Sequence, residues 1–256
     1  MFTKAIVRPP GANFADGLTT AELGTPVYEL AIAQHEAYCA ALEQCGLTLT
    51  RLEPDTRYPD STFVEDTAVI TPKGAVLMRP GAGSRAGEVV GIKKTLARFF
   101  SSLLSIEAPG TVDGGDICEA GKHFFIGISE RTNESGADQL AALLGSYGYT
   151  SSTIDVRGID GILHLKSGLA SLGDNRLVVI EELATRKEFA LYDLIRLEAR
   201  EKYAANCVRV NDFVLVASGY PALEANLQRL GYQTIPLDMS EFQKMDGGLS
   251  CLSLRF

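Results

Sequence analysis

The chain of 256 residues is 46% hydrophobic and 22% charged, which is ordinary for a globular protein and allows one large domain or two small ones. Its formal net charge of −8 argues against a nucleic-acid partner, and no stretch approaches the ~20 apolar residues of a membrane helix. Five cysteines at irregular spacing predict neither a disulfide framework nor a structural zinc site. The first residues also lack the apolar stretch of a signal peptide, so we expect a cytoplasmic protein with no membrane contact.

Taken in chain order, four segments have the pattern of a β-hairpin, with β-branched or aromatic residues on both sides of a turn. These segments are 63–79, 115–127, 163–180 and 205–216. Amphipathic helical patterns occupy 26–46, 87–103, 134–147, 187–199 and 221–230. Short extended runs follow most of these helices, at 47–52, 106–108, 150–156 and 233–237. The pattern at 187–199 has no clear extended run after it.

The hairpins recur at a spacing close to one fifth of the chain, about 51 residues. A fifth unit would join the C-terminal strand to an N-terminal strand at residues 4–8. This self-similarity predicts an α/β fold in which five ββαβ-type units form a closed radial array, a five-fold pseudosymmetric α/β propeller. The alternative is a generic α/β domain with one mixed sheet.

The last ten residues place a cysteine on a predicted strand, directly after two glycines. Alternation along this stretch predicts that Leu249, Cys251 and Ser253 share one face of the strand. A cysteine in such a place is either a small hydrophobic residue of the core or a nucleophile directed into a cleft.

Polar residues fall at matching places, near the start of each hairpin's first strand. They are Glu65, Asp66, Asp113, Asp116, His164, Asn206 and Cys251. A radial array would bring them together at its axis. A Cys–His pair can attack an electrophilic carbon and protonate a leaving group, and paired carboxylates can bind the planar guanidinium. The combination indicates a guanidino substrate, although 113–116 could be a plain turn and His164 a core histidine.

A series of motifs extends over essentially the whole chain, at 16–19, 58–61, 63–66, 79–81, 84–85, 107–116, 131–133, 163–166, 203–207 and 247–256. In this order they resemble the dimethylarginine dimethylaminohydrolases of the short bacterial type, within the pentein superfamily of guanidino-modifying enzymes. The resemblance implies one pentein domain over 1–256, with the active site on the axis of the propeller. It implies hydrolysis of Nω-methylated L-arginines to L-citrulline and methylamine or dimethylamine, through a covalent cysteine thiouronium.

The resemblance also assigns roles to individual residues. Cys251 matches the nucleophile and His164 the general acid and base. Asp66 and Asp113 match the carboxylates that hold the guanidinium, and Asp113 is grouped with the catalytic residues; relatives carry Glu or Asp there. The further positions implied to line the substrate pocket are Leu18, Asp60, Phe63, Glu65, Arg85 and Arg131, the two arginines facing the α-carboxylate. No metal or organic cofactor is expected, and relatives are often homodimers.

Three alternatives share this pattern. An arginine deiminase would act on unmethylated arginine, and an amidinotransferase would use an amine in place of water. A pentein propeller without catalysis, used as a binding module, belongs to a different class. The segment 9–25 is a long glycine-containing loop, and we expect it to be a lid that carries Leu18 over the substrate.

Overall fold

The computed structural model describes every residue from Met1 to Phe256. The α-helices are Tyr28–Gln44 (α1), Glu88–Leu96 (α2), Glu134–Ser146 (α3), Pro221–Arg229 (α4) and Ser240–Gln243 (α5). None of them combines the length and the apolar character needed to cross a membrane.

Five separate three-stranded sheets repeat one plan: two antiparallel strands form a hairpin-like pair, and the third strand lies parallel to the middle one. The strands are Lys4–Val7 (β1), Thr48–Arg51 (β2), Ala68–Thr71 (β3), Gly74–Leu77 (β4), Leu103–Ser105 (β5), Ile117–Ala120 (β6), His123–Ile128 (β7), Thr150–Asp155 (β8), Leu169–Gly173 (β9), Arg176–Ile180 (β10), Asp193–Leu197 (β11), Val208–Val210 (β12), Phe213–Ala217 (β13), Gln233–Leu237 (β14) and Ser253–Arg255 (β15). In sheet order these are β15-β1-β2, β3-β4-β5, β6-β7-β8, β9-β10-β11 and β12-β13-β14. The predicted five units are confirmed, including the antiparallel pairing of the C-terminal strand with the N-terminal strand.

The chain divides into two compact units. The first unit comprises Met1–Val64 and Asn206–Phe256, and the second comprises Glu65–Ala205. The first unit holds β15-β1-β2 and β12-β13-β14; the second holds the other three sheets. The single domain over 1–256 stays a prediction.

The hairpin turns explain why the sheets form where the sequence places them. Asp174, Asn175 and Asn211 all have positive φ, at 49°, 60° and 55°, a conformation that Asn and Asp adopt more readily than most residues. Helix α3 begins at a side-chain cap, because Asn133 Oδ1 accepts the Gly136 N–H at 2.8 Å. Because these turn and cap residues lie next to the hairpins and the helix that they define, the sequence predicts those elements well.

Each unit has its own apolar core. In the second unit, α3 packs on the sheets β3-β4-β5 and β6-β7-β8, and the buried cluster includes Val76, Met78, Ile117, Phe124, Ile126, Leu140 and Leu144. In the first unit, Phe14, Phe63 and Phe242 form a triangle with ring centroids 5.4–6.3 Å apart.

Several predicted elements differ from the structure. The helix predicted over 87–103 ends at Leu96. No α-helix forms over 187–199: a short 3-10 turn, Lys187–Phe189, precedes strand β11, in which buried Ile195 and Leu197 flank exposed Arg196. This strand is the extended run that the sequence did not reveal. The run expected at 106–108 lies instead at Leu103–Ser105. The C-terminal strand begins at Ser253, so the strand expected to carry Cys251 is wrong; Cys251 lies on the preceding 3-10 turn, Ser250–Leu252.

Asn211 gives the first unit a testable structural link. Its side chain accepts the Phe2 N–H at 2.8 Å and donates to the carbonyls of Phe2 (3.0 Å) and Cys45 (2.9 Å). Asn211→Ala removes three hydrogen bonds and leaves at positive φ a residue that tolerates this conformation less well than asparagine, so the free energy of unfolding should fall by about 3 kcal/mol in chemical denaturation.

The matched control for this prediction is Asn211→Gly, which loses the same hydrogen bonds without the backbone strain. Its free energy of unfolding should lie between those of the wild type and Asn211→Ala. An alanine variant as stable as the wild type would contradict the assigned role of this turn.

Candidate active site

The polar residues that the sequence singled out lie on short 3-10 turns or directly beside them, and not on strands. Such turns occupy Val64–Thr67, Gly114–Asp116 and Leu165–Ser167, each directly or one residue before the first strand of a hairpin. Ser250–Leu252 has the same place before β15. The predicted equivalence of these positions is therefore confirmed, although the strand expected to begin at residue 63 begins at Ala68.

In the second unit, His164 and Asp113 form a buried pair. His164 Nε2 lies 3.0 Å from Asp113 Oδ2, and the second oxygen, Asp113 Oδ1, accepts the Gly81 N–H at 2.8 Å. Asp113 has no exposed surface and His164 is only 7% exposed. The carboxylate is thus fixed at one oxygen by the backbone and holds the imidazole with the other.

Asp66 lies in the same cluster and is bound on both oxygens. Oδ1 accepts the Gly115 N–H at 2.8 Å, and Oδ2 accepts from Arg85 Nη1 at 2.6 Å. Arg85 also donates to both oxygens of Glu88, at 3.0 and 2.8 Å. Burial would raise the pKa of Asp66, but the charge of Arg85, with that of His164 and the hydrogen bonds, lowers it to about 2.

Two glycines let these groups approach one another. A β-carbon on Gly114 would lie 2.0 Å from the Glu65 carbonyl oxygen, and one on Gly115 would lie 2.8 Å from the His164 ring. The double glycine at 114–115 is therefore required by close contact with the turn that carries Asp66 and with the imidazole.

The electrostatics of the cluster favour a charged imidazole. Burial alone would lower the pKa of His164, but the negative charges of Asp116 and Asp66 and the hydrogen bond to Asp113 raise it to about 9. At neutral pH the ring is therefore an imidazolium, which can act as a general acid.

The remaining predicted residues of the second unit lie beside this cluster. Arg131 Nη1 is 4.0 Å from Asp113 Oδ2, and its side chain is 17% exposed. Glu65 forms an ion pair with Lys166 at 2.5 Å. The family resemblance implies that Arg85 faces a substrate carboxylate. In the structure, three of its N–H groups donate to Asp66 and Glu88.

Three of these residues also have the spacing of a metal site. Asp66, Asp113 and His164 each offer one ligand atom, and these atoms lie within 4.8 Å of one another. An imidazolium has no ring lone pair to give to a metal, which leaves only the two carboxylates as ligands. The set suits an organic cation with N–H donors better than a metal ion.

In the first unit, the predicted residues form two local groups. Asp60 Oδ1 accepts the Leu18 N–H at 3.0 Å, which fixes the loop residue to a buried carboxylate. Phe63 belongs to the aromatic triangle, and a β-carbon on Gly247 would lie 2.4 Å from its ring.

Cys251 differs from the other cysteines of the chain. It is partly exposed, whereas Cys39, Cys45, Cys118 and Cys207 are buried. Burial raises the pKa of Cys39 and Cys118 to about 12 and that of Cys45 to about 11, so these three stay protonated thiols at neutral pH.

Asn206 fixes the turn that carries Cys251. Its Oδ1 accepts the Ser250 N–H at 2.8 Å and its Nδ2 donates to Ser250 Oγ at 3.1 Å. A β-carbon on Gly248 would lie 2.6 Å from the Asn206 side chain, so this glycine too is required by close approach.

Sequence reasoning placed Asp116 among the polar residues of the axis without a role of its own, and it did not single out Glu88 or Lys166. Lys166 follows His164 by two residues within the motif at 163–166, and Asp116 closes the Asp113-Gly114-Gly115 run, so both had a local signal. Glu88, three residues after Arg85, had only the (i, i+3) spacing.

Comparison with known proteins gives the class of the fold. No family model matches the chain. The structure aligns over the whole of both chains, with a TM-score of 0.97 and 45% identity, with dimethylarginine dimethylaminohydrolase from Pseudomonas aeruginosa, a cysteine-to-serine mutant complexed with citrulline. A histidine-to-glycine variant of a dimethylarginine dimethylaminohydrolase, an adduct with S-methyl-L-thiocitrulline, aligns over 100% of both chains with a TM-score of 0.96. The fold is the five-fold pseudosymmetric α/β propeller of the pentein superfamily.

The family follows from the sequence alignment. The chain is 46% identical to the N(G),N(G)-dimethylarginine dimethylaminohydrolase of Pseudomonas aeruginosa, over 100% of both chains. It belongs to the dimethylarginine dimethylaminohydrolase family.

The raised pKa of His164 makes the stability of the protein depend on pH. The unfolded imidazole has a pKa of 6.5 and the folded one about 9, so the folded state gains stability below pH 6.5 and loses it as the pH rises through 9. Between pH 6.5 and 9.5, the free energy of unfolding should fall by about 1–3 kcal/mol from this group alone.

Urea denaturation across this pH range, with and without His164→Asn, measures that contribution. The variant should show a flatter pH dependence, while His123→Asn, a substitution of a half-buried histidine, should keep the wild-type slope. Equal slopes for wild type and His164→Asn would show that His164 carries no such proton.

Proposed function

We propose that this protein hydrolyses Nω-methylated L-arginines, asymmetric dimethylarginine and monomethylarginine, to L-citrulline and dimethylamine or methylamine. The observation that carries the proposal is the buried cluster in which Asp66 and Asp113 accompany a protonated His164. Membership in the dimethylarginine dimethylaminohydrolase family supports the same substrate class. Relatives of the same fold hold citrulline or an S-methyl-L-thiocitrulline adduct.

The carboxylates are proposed to bind the guanidinium. Asp66 is held as an anion by Arg85, and Asp113 is held by the Gly81 N–H, so neither carboxylate has to reorient to receive a cation. A guanidinium offers five N–H donors in one plane, which two fixed carboxylates can accept. Binding would hold the central carbon as a planar cation that a thiolate can attack.

The first chemical step is proposed to form a bond between Cys251 Sγ and the guanidinium carbon. The bound cation favours the thiolate over the thiol, because it places a positive charge near the sulfur. The bond from that carbon to the methylated nitrogen then breaks, and the imidazolium of His164 gives its proton to the departing amine. Cys251 is left as an alkylthiouronium.

The second step is proposed to be hydrolysis of this intermediate. Neutral His164 accepts a proton from water, and the oxygen attacks the same carbon. The carbon–sulfur bond breaks and the second proton of the attacking water leaves to solvent, which releases neutral citrulline and restores the thiolate. His164 ends the cycle as an imidazolium, the form that its surroundings favour, and the free amine takes up the released proton in solution. All the groups that move protons or electrons are side chains, so we propose that no metal or organic cofactor takes part.

Further residues are proposed to line the substrate pocket: Leu18, Asp60, Phe63, Glu65, Arg85 and Arg131. Arg131 is the better candidate for a substrate α-carboxylate, since its nearest acidic partner, Asp113, is 4.0 Å away. Arg85 is the weaker candidate for this role, because its guanidinium already forms ion pairs with Asp66 and Glu88. Glu65 is held by Lys166.

The compartment and the assembly are also proposals. We propose the cytoplasm, since a catalytic thiol needs a reducing environment and none of the five cysteines forms a disulfide. A homodimer is supported by the family resemblance, and sedimentation would decide it. A small guanidino molecule is the partner that the acidic cluster suits.

The loop over residues 9–25 is proposed to be a lid, with a narrower mobile part than the sequence suggested. Phe14 is buried against Phe63 and Phe242, so the first half of the loop belongs to the core. Beyond it, Leu18 is 41% exposed and is fixed through its N–H to Asp60. Thr20 N–H donates to Asp246 at 2.5 Å. These polar contacts can break and form again without exposing core.

Cys251→Ser should abolish turnover and leave the fold intact, because the serine hydroxyl is a far weaker nucleophile than a thiolate. Citrulline release from arginine, monomethylarginine and asymmetric dimethylarginine measures activity, and thermal unfolding measures the fold. Cys45→Ala, at a buried cysteine at the end of α1, should keep full activity.

Two results would change the proposal. Substantial activity in Cys251→Ser would exclude the covalent route. Faster turnover of plain arginine than of its methylated forms by the wild type would identify a deiminase, and no citrulline from any of the three would favour a binding module.

Leu18→Gly tests the lid. It should raise KM or lower kcat several-fold, since the apolar side chain no longer covers the substrate, with little change in Tm. Hydrogen exchange should show fast opening from Asp16 to Thr20 in the free protein and protection with a bound substrate analogue. Equal protection in both states would exclude a lid.

A further inference from the structure

Asp116 is a buried carboxylate that takes no part in the proposed mechanism. It ends the 3-10 turn Gly114–Asp116, three residues after Asp113, and has no exposed surface. A buried carboxylate is retained only where several donors compensate the loss of water. The partners of Asp116 therefore indicate what it does.

Three donors satisfy this carboxylate, and they come from two other segments. Oδ2 accepts from Ser129 Oγ and from Thr132 Oγ1, both at 2.6 Å. Oδ1 accepts the N–H of Leu165, the residue after His164, at 2.9 Å. A β-carbon on Gly127 would lie 2.7 Å from this same oxygen, so the surrounding backbone is closely fitted to it.

Each of these contacts leads directly to a proposed active-site residue. Leu165 adjoins His164. Ser129 Oγ accepts the Arg131 N–H at 3.0 Å, and Thr132 Oγ1 accepts the Asp113 N–H at 3.1 Å. Asp116 is therefore linked to the backbone directly after His164 and, through one hydroxyl each, to the backbone N–H groups of Arg131 and Asp113.

We propose that Asp116 is a positioning residue, which fixes His164, Asp113 and Arg131 relative to one another and keeps the imidazole charged for its role as an acid. The proposal deepens the proposed function and rests on it for the roles of these three residues. Burial raises the pKa of the Asp116 carboxyl, and the charge of His164 with the hydroxyl and N–H donors opposes that rise. Asp116 has no hydrogen bond to the imidazole ring, so it acts through the backbone and through its charge.

The electrostatics support the geometry. Burial alone would lower the pKa of His164, and the charge of Asp116 is the largest of the influences that raise it. The other charged groups around His164 are Asp66 and Asp113, with Arg85 and Arg131 bound beyond them. On the same turn as His164, Lys166 is paired with Glu65.

Two substitutions separate the charge of Asp116 from its tethering contacts. Asp116→Asn keeps the shape and removes the charge, so the pKa of His164, followed by imidazole NMR in the free protein, should fall from about 9 towards 6.5. The rate kcat should drop at least tenfold, and its alkaline limb should move to lower pH.

Thr132→Val keeps the charge of Asp116 but cuts its link to the Asp113 N–H. The pKa of His164 should stay near 9, while kcat/KM for methylated arginine falls about tenfold. Thr132→Ser, which restores the hydroxyl, should recover the wild-type values. If Asp116 only stabilised the fold, Asp116→Asn would lower Tm without moving the titration of His164.

The outcomes decide the proposal separately from the function. A folded Asp116→Asn variant with His164 still near 9 and wild-type kcat would overturn it. If Asp116→Asn does not fold, wild-type kinetics in Thr132→Val would overturn the positioning role. If the wild type itself releases no citrulline, the proposed function fails, yet the NMR titration still tests whether Asp116 sets the charge of His164.

Discussion

The second unit depends on one constraint: its buried acids outnumber the buried bases that accompany them. Asp66, Asp113, Asp116 and Glu88 are all at most 3% exposed, and the cations within the cluster are Arg85 and the imidazolium of His164. Burying charge without partners costs several kcal/mol. The turns, the glycines and the hydroxyl donors can all be understood as the means by which a polypeptide holds this excess of negative charge.

Arg85 shows how that charge is organised. It donates in parallel to Glu88 and through a single nitrogen to Asp66, so one guanidinium fixes two carboxylates. The pair lowers the pKa of Asp66 to about 2. Asp66 therefore stays charged at any physiological pH, and what remains of its attraction is available to a second cation. The guanidinium of Arg85 is itself bound by two carboxylates, as the guanidinium of a ligand would be.

The sequence predicts the repeat well because its signals are local: alternation, turn residues and helix ends lie within a few residues of one another. It fails where two periodicities coincide. Phe189, Tyr192 and Ile195 are spaced as on a helix, but the buried alternation is confined to the five residues Asp193–Leu197. It also fails at Cys251, because a 3-10 turn fixed by Asn206, 44 residues away, has no pattern of its own. The chemical types of the site residues were visible, whereas partners such as Arg85 and Asp66, separated by 19 residues, needed the structure.

The short side chain at Asp113 is explained by how closely the backbones approach. An aspartate reaches one methylene less far than a glutamate, so its turn must lie nearer to the imidazole. Gly114 leaves only 2.0 Å between a would-be β-carbon and the Glu65 carbonyl, and Gly115 leaves 2.8 Å to the His164 ring. With that approach Asp113 reaches His164 Nε2 at 3.0 Å while its other oxygen holds the Gly81 N–H. The Thr132 hydroxyl, itself held by Asp116, fixes the backbone of the same residue. The close approach of the backbones lets an aspartate reach the imidazole, and the network around Asp116 holds the backbone of Asp113 in place.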